Sequence, residues 1–137
     1  MRWISKIPLF VILIVYKSFL LISCSPTTQM EPYEEVNINL HVMAFFDGEV
    51  RIDLNGKNVF ENAVRPNPIL GYAVIVDTDK PAFKEIQAKA GKNHVSVWYN
   101  KSFLADTTFA ANDSTYLGVG LSHNVIFRIQ DNPFLYW

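Results

Sequence analysis

Three histidines, His41, His94 and His123, and a single cysteine, Cys24, are the side chains of this 137-residue chain best suited to nucleophilic, acid–base or metal chemistry. A hydrolytic site needs a nucleophile, a base and a group that orients the base, all within hydrogen-bond reach. The histidines are far apart in sequence, and none sits in a local pattern such as G-x-S-x-G or H-E-x-x-H. A site assembled from distant residues would draw on His41 or His94 with Asp53 or Asp47, and it requires those side chains to converge in one pocket. Otherwise each histidine is a solvated residue on the polar face of a strand or at a turn, with His94 capping backbone beside Gly91. The expectation is a protein without catalytic residues, not an enzyme.

Metal chemistry would require the histidines to meet a carboxylate or water, which their spacing does not demand. Asp53-Leu54-Asn55-Gly56 and the pair Asp77/Asp79 are oxygen-rich, but a calcium loop of the EF-hand kind needs further ligands at fixed positions ending in a glutamate. The turn alone explains the first of them, so no metal and no cofactor are expected.

The cysteine closes an unusual stretch, "LFVILIVYKSFLLISCSP", running from Leu9 to Pro26. Basic Arg2 and Lys6 precede it, and from Ile7 to Ser23 almost every residue is apolar, the order of a secretory signal. As a spanning helix, Ile7 to Ser23 would rise roughly 25 Å against about 30 Å of hydrocarbon and would bury Lys17. The final residues Leu21-Ile22-Ser23-Cys24 resemble the bacterial lipobox, with Lys17 in the apolar segment as the one departure. That resemblance implies cleavage before Cys24, lipidation of its sulfur and a multiply acylated new N-terminus. One cysteine cannot make an internal disulfide, and lipidation would consume it. Several acyl chains hold a protein where one binds only marginally.

The expected organisation is therefore a signal peptide over residues 1–23, a lipidated cysteine and tether over 24–35, and one domain over 36–137. Ser25 to Glu35 carries two prolines and three glutamates without apolar periodicity, which suits a flexible tether. It would lift the domain by up to about 35 Å. Serine directly after the cysteine resembles the outer-membrane sorting pattern of enteric bacteria, so the expected address is extracytoplasmic, at the cell envelope, on the outer rather than the inner membrane. Without the leader the chain has nine basic and thirteen acidic residues, a formal charge of −4. That balance argues against a nucleic-acid partner, and against adhesion to an anionic lipid surface by charge alone.

From Val36 onward the dominant period is two. Val36, Ile38, Leu40 and Val42 alternate with Asn37, Asn39 and His41, and Val50, Ile52 and Leu54 alternate with Glu49, Arg51 and Asp53. Each is the pattern of a strand with one face on a core. Asn55-Gly56 is a strong signal for a type I′ hairpin. A simple two-residue loop leaves Phe60 on the side of Arg51, whereas a one-residue bulge swings it inward; the sequence leaves both registers open. "ILGYAVIV", Ile69 to Val76, is apolar on both faces, as in a central covered strand or one bent at Gly71. "FKEIQAKAGKNHVSVWY" reads as two strands around a turn at Gly91 to Asn93, although "PAFKEIQAKA" also holds good helix formers. "SFLADTTFA", "STYLGVGL" and "NVIFRIQ" complete the set. The fold class predicted is all-β, an antiparallel β-sandwich of about seven to eight strands after an N-terminal signal helix.

The run "VRIDLNGKNVFENAV" followed by "AKAGKNHVSVWY" resembles small surface sandwich modules of the PEGA type and transthyretin-like or immunoglobulin-like domains. The likeness covers about half of the exported part. It implies an extracytoplasmic accessory domain and carries over no catalytic residue.

Without disulfides such a domain must be held by apolar burial, and its fifteen Phe, Tyr and Trp residues suit that task. Trp98 alternates with the core-facing residues and shares a side with His94 and Ser96, which makes a platform for a sugar ring or a protein. Trp137 is either a further contact or a plug over the end of the sandwich. The predicted site residues are thus Cys24 for lipidation and Trp98, His94, Ser96 and Trp137 for a ligand or partner. The predicted partners are the membrane, through the lipid on Cys24, and an envelope protein or glycan. The alternative role is an assembly or inhibitor subunit that pairs with an envelope protein through a strand edge.

Overall fold

The computed structural model describes residues 33–67 and 69–135. Cys24, the leader, most of the tether and Trp137 lie outside the described residues, as does any signal helix. Nine strands follow in chain order: β1 (Glu35–Val42), β2 (Gly48–Leu54), β3 (Lys57–Arg65), β4 (Val74–Ile75), β5 (Phe83–Lys89), β6 (Gly91–Tyr99), β7 (Ser102–Ala111), β8 (Tyr116–Leu121) and β9 (Val125–Gln130). They form a four-stranded sheet in the order β5-β1-β8-β9 and a five-stranded sheet in the order β4-β3-β2-β6-β7. The all-β sandwich predicted from the period-two pattern is thus the fold. Among the described residues the strand count is nine, and β1 and β8 are a parallel pair among otherwise antiparallel ones.

The core is made by the alternating apolar sets. Ile38, Leu40 and Val42 from β1 and Leu117 and Val119 from β8 face Val50 and Ile52 from β2 and Val95 and Val97 from β6, all fully buried. One face of each sheet therefore carries the hydrophobic stabilisation, and the polar partners of the alternation point outward.

Asn55 and Gly56 have φ of 51° and 80°, the two positive values that a type I′ turn needs. The hairpin takes the bulged register: Ile52 lies opposite Phe60 and Asp53 opposite Asn58, leaving Val59 as the extra residue. Phe60 consequently turns into the core at 3% exposure. Burial of a large ring on the inner face decides the choice that the turn leaves open.

One alternative is settled and two expectations are corrected. "PAFKEIQAKA" gives strand β5, because Ile86 and Ala88 reach the core only when β5 pairs with β1, Ile38 opposite Ile86; tertiary pairing overrides local helix propensity. β5 and β6 are not a hairpin but lie in different sheets, so the chain crosses the sandwich at Ala90. "ILGYAVIV" is not a central strand. Its only strand is the two-residue β4 at a sheet edge, and Ile69 and Leu70 are exposed in a turn where the amides of Leu70 and Gly71 donate to the carbonyl of Asn67. Ala73 then joins the segment to β1 by donating to the carbonyl of Val42. The run spends its apolar residues on joining the edge strand β4 of one sheet to the end of β1 in the other.

After β9 the chain folds back over the outer face of the four-stranded sheet, and Phe134 is 8% exposed there. Gly118 makes this possible: a β-carbon at that position would come within 2.7 Å of the tip of the Phe134 ring and 3.1 Å of the Met43 sulfur. Gly118→Ala is therefore expected to displace the 131–135 segment and to destabilise the fold by about 1–3 kcal/mol. Gly120→Ala, whose β-carbon would meet Met43 at an ordinary 3.5 Å, is the matched control. Thermal unfolding of the pair checks the prediction, and equal midpoints would refute it.

Candidate functional site

The structure places His94, Ser96 and Trp98 on the outer face of the five-stranded sheet, where β6 pairs with β2 and β7. Trp98 is half-buried there. The guanidinium of Arg51, opposite it on β2, lies 4.9 Å from its ring centroid, and the exposed Phe103 meets it edge-on at 5.5 Å. Arg51 is held by a two-point bond to the buried Asp53, Nε to Oδ1 at 3.0 Å and an Nη to Oδ2 at 2.9 Å. That hydrogen bond, and then the charge of Asp53, raises the guanidinium pKa above its ordinary value. One face of the indole is thus already covered by a cation. Ser96 is buried between Asp53 and Asp106, its cross-strand neighbours.

His94 is exposed, and its ring does not cap backbone as expected. Nε2 lies 2.9 Å from Oδ2 of Asp106, while the backbone amide of His94 donates to Oδ1 of Asn55. The local capping role belongs to Asn93 and Asn55, whose side chains tie the two turns together.

His41 lies on the outer face of the other sheet. It was expected to be solvated, yet it is 9% exposed. Phe83 stacks on it at 4.0 Å, and Phe134 and Tyr116 close around it at 5.2 and 5.8 Å. This burial lowers the imidazole pKa to about 4, so the ring is neutral near neutral pH. The two histidines proposed for a dispersed catalytic site occupy opposite outer faces, and Asp53 is committed to Arg51. His41 and His94 therefore do not converge, and the carboxylate that His94 meets is that of Asp106. Among the described residues no three His, Cys, Asp or Glu side chains group closely enough to hold a metal ion.

A further surface feature lies elsewhere, on the outer face of β8 and β9. A hollow of about 540 Å³ is lined by Met43, Ala44, Phe45, Gly71, Gly120 and Leu121, continuing to Ser122, His123, Ile126 and Arg128. A second, of about 450 Å³, shares Met43 and Arg128 and extends to Pro133, Phe134 and Leu135. Gly118 and Gly120 face outward on β8, opposite Arg128 and Ile126 of β9, so the sheet surface is low there. Phe45 stands at the rim, 65% exposed, with φ of 81°. A positive φ is costly for an aromatic residue and is sustained only where surrounding structure imposes it. Here the next residue, Phe46, is fully buried, and the reversal that sends Phe46 inward leaves Phe45 outward.

The available sequence signal for this trough was "YLGVGL". Glycines two apart in a strand strip side chains from one face, while Leu117 and Val119 serve the core. No family model matches the chain, and no curated protein matches it.

Proposed function

We propose that this chain is a lipid-anchored extracytoplasmic β-sandwich module with a non-catalytic binding or structural role at the bacterial cell envelope. The observation that carries the proposal is the order of parts: a basic and then apolar leader, Leu21-Ile22-Ser23-Cys24 in the manner of a lipobox, a proline-containing tether, and β1 beginning at the last residue of that tether, Glu35. Anchor and tether position a domain, and the sandwich supplies a surface for them to present. Two features of that surface support a binding role. The trough beside Phe45 is open and largely apolar, and large apolar hollows with a few polar groups are the usual form of ligand sites. The outer face at Trp98, His94 and Phe103 offers aromatic and charged groups to an envelope protein or glycan.

The test is intact mass and membrane fractionation of the full-length protein beside Cys24→Ala, produced in a bacterium. The expected result is loss of the leader and gain of acyl mass in the parent, with neither in the variant. An unprocessed, unacylated parent in the membrane fraction would overturn the anchor and return the leader to a membrane span.

A further inference from the structure

The hollow on the outer face of the four-stranded sheet combines four properties that together specify a ligand class. Its walls are apolar, from Met43, Ala44, Phe45, Leu121 and Ile126. Its volume of about 540 Å³ lies within the range of small-molecule sites. Arg128 at its end has no ion-pair partner among the described residues, and no carboxylate is among the residues lining either hollow. Its floor is the outer face of β8, which is hydrogen-bonded to β1 on one side and to β9, the edge strand, on the other.

We propose that this hollow binds a single alkyl chain ending in a carboxylate, with the chain between Met43, Phe45 and Ile126 and the carboxylate on Arg128. An unneutralised guanidinium beside an apolar hollow is complementary to an anion attached to an apolar body, and its fork matches a carboxylate. On the β8 floor an extended peptide would find no free backbone ladder, because strand addition needs an open edge and the edge here is the far side of β9, away from the floor. An alkyl chain needs none. Met43, unbranched and polarizable, adapts its shape to such a chain, and strained Phe45 holds an aromatic wall in place at the rim.

The experiment uses the full-length chain in phospholipid nanodiscs, with empty nanodiscs as the baseline for partition into lipid. Octanoate and 1-octanol, equal in chain length and different in charge, are titrated at neutral pH and followed by saturation-transfer NMR. Octanoate is expected to saturate above the baseline and to bind at least tenfold more tightly than 1-octanol. Arg128→Gln is expected to remove that preference and leave 1-octanol unchanged; Arg128 is an exposed side chain with no ion pair to lose among the described residues. Gly120→Leu, which fills the hollow, is expected to weaken both probes. Absence of saturable octanoate binding, equal binding to the parent and Arg128→Gln, or preference for a blocked apolar peptide would each overturn the proposal. The full chain enters the disc through acyl chains on Cys24 or through its apolar leader, so failure of the ligand site is distinguishable from failure of the anchor.

Discussion

Phe46→Ala is expected to destabilise the domain by about 3–5 kcal/mol, the range for truncating a buried phenylalanine. At about 4–8 °C per kcal/mol for a domain near 100 residues, the thermal midpoint would fall by well over 10 °C. Phe46 is the largest of the fully buried side chains, and its position explains the size of the effect. It lies in the link that carries the chain from β1 in one sheet to β2 in the other, so its ring packs both sheets at their crossing. The ring meets Tyr99 edge-on at 5.4 Å, and the Tyr99 hydroxyl donates to the Asp47 carbonyl at 2.6 Å while accepting from the Asp47 amide. Truncation leaves a cavity that this tethered link cannot close. Its neighbour supplies the contrast. Phe45 is exposed and held at positive φ, so Phe45→Gly relieves strain and is expected to cost little or to stabilise. Thermal unfolding of the two variants checks the pair, and similar losses at both positions would show that the inward and outward roles have been misassigned.

The same link shows how far the sequence was informative. "VNINLHV" and "EVRIDL" declare their core faces by alternation, and the structure buries Ile38, Leu40, Val42, Val50, Ile52 and Leu54, with only Val36, at the start of β1, partly buried. "NG" declares its turn, because few residue pairs accept two positive φ values. Between such elements, "MAFFDG" carries two adjacent phenylalanines and no local rule that distinguishes them; only the sandwich makes one a core residue and the other a rim. His41 failed for a related reason. Its place on the polar side of β1 was read correctly, but Phe83 and Phe134 come from elsewhere in the chain to cover it. Trp98, His94 and Ser96 share a face because alternation within one strand is local. That Arg51 already lies over the indole is a cross-strand fact, set by the pairing of β2 with β6. The trough was invisible because its walls come from four separate segments, around Met43, Gly71, Gly120 and Arg128, and because outward glycines are recorded in a sequence only as missing side chains.

Asn93→Ala carries the second large expected effect, about 2–4 kcal/mol, and it arises from hydrogen bonds rather than volume. Asn93 is 1% exposed. Its Oδ1 accepts from the Lys89 amide and from Nδ2 of Asn55, both at 2.9 Å; its own Nδ2 donates to the carbonyls of Lys89 at 2.8 Å and Gly91 at 2.9 Å. Both hydrogens and both lone-pair directions of one amide are used. Asn55 reaches back from the hairpin turn, accepting from the His94 amide through Oδ1 and donating its own amide to the His94 carbonyl. One side chain thus fastens the crossing between the two sheets to the tip of the β2–β3 hairpin. Removing it leaves a partly buried backbone amide and two carbonyls without this partner, a larger penalty than the net gain from making the same bonds. Asn93→Asp is no rescue, since a carboxylate would face the carbonyl oxygens of Lys89 and Gly91. Asn55→Gly keeps the positive φ while deleting only the side chain, so it isolates the link between the turns. Urea unfolding of Asn93→Ala, Asn55→Gly and the double variant closes a cycle. The double variant should lose less than the two singles combined, by about 0.5–3 kcal/mol, because each single variant already breaks the shared bond. Strict additivity would mean that the two turns are stabilised separately, and the Asn55–Asn93 contact would then be a consequence of the crossing geometry and not one of its causes.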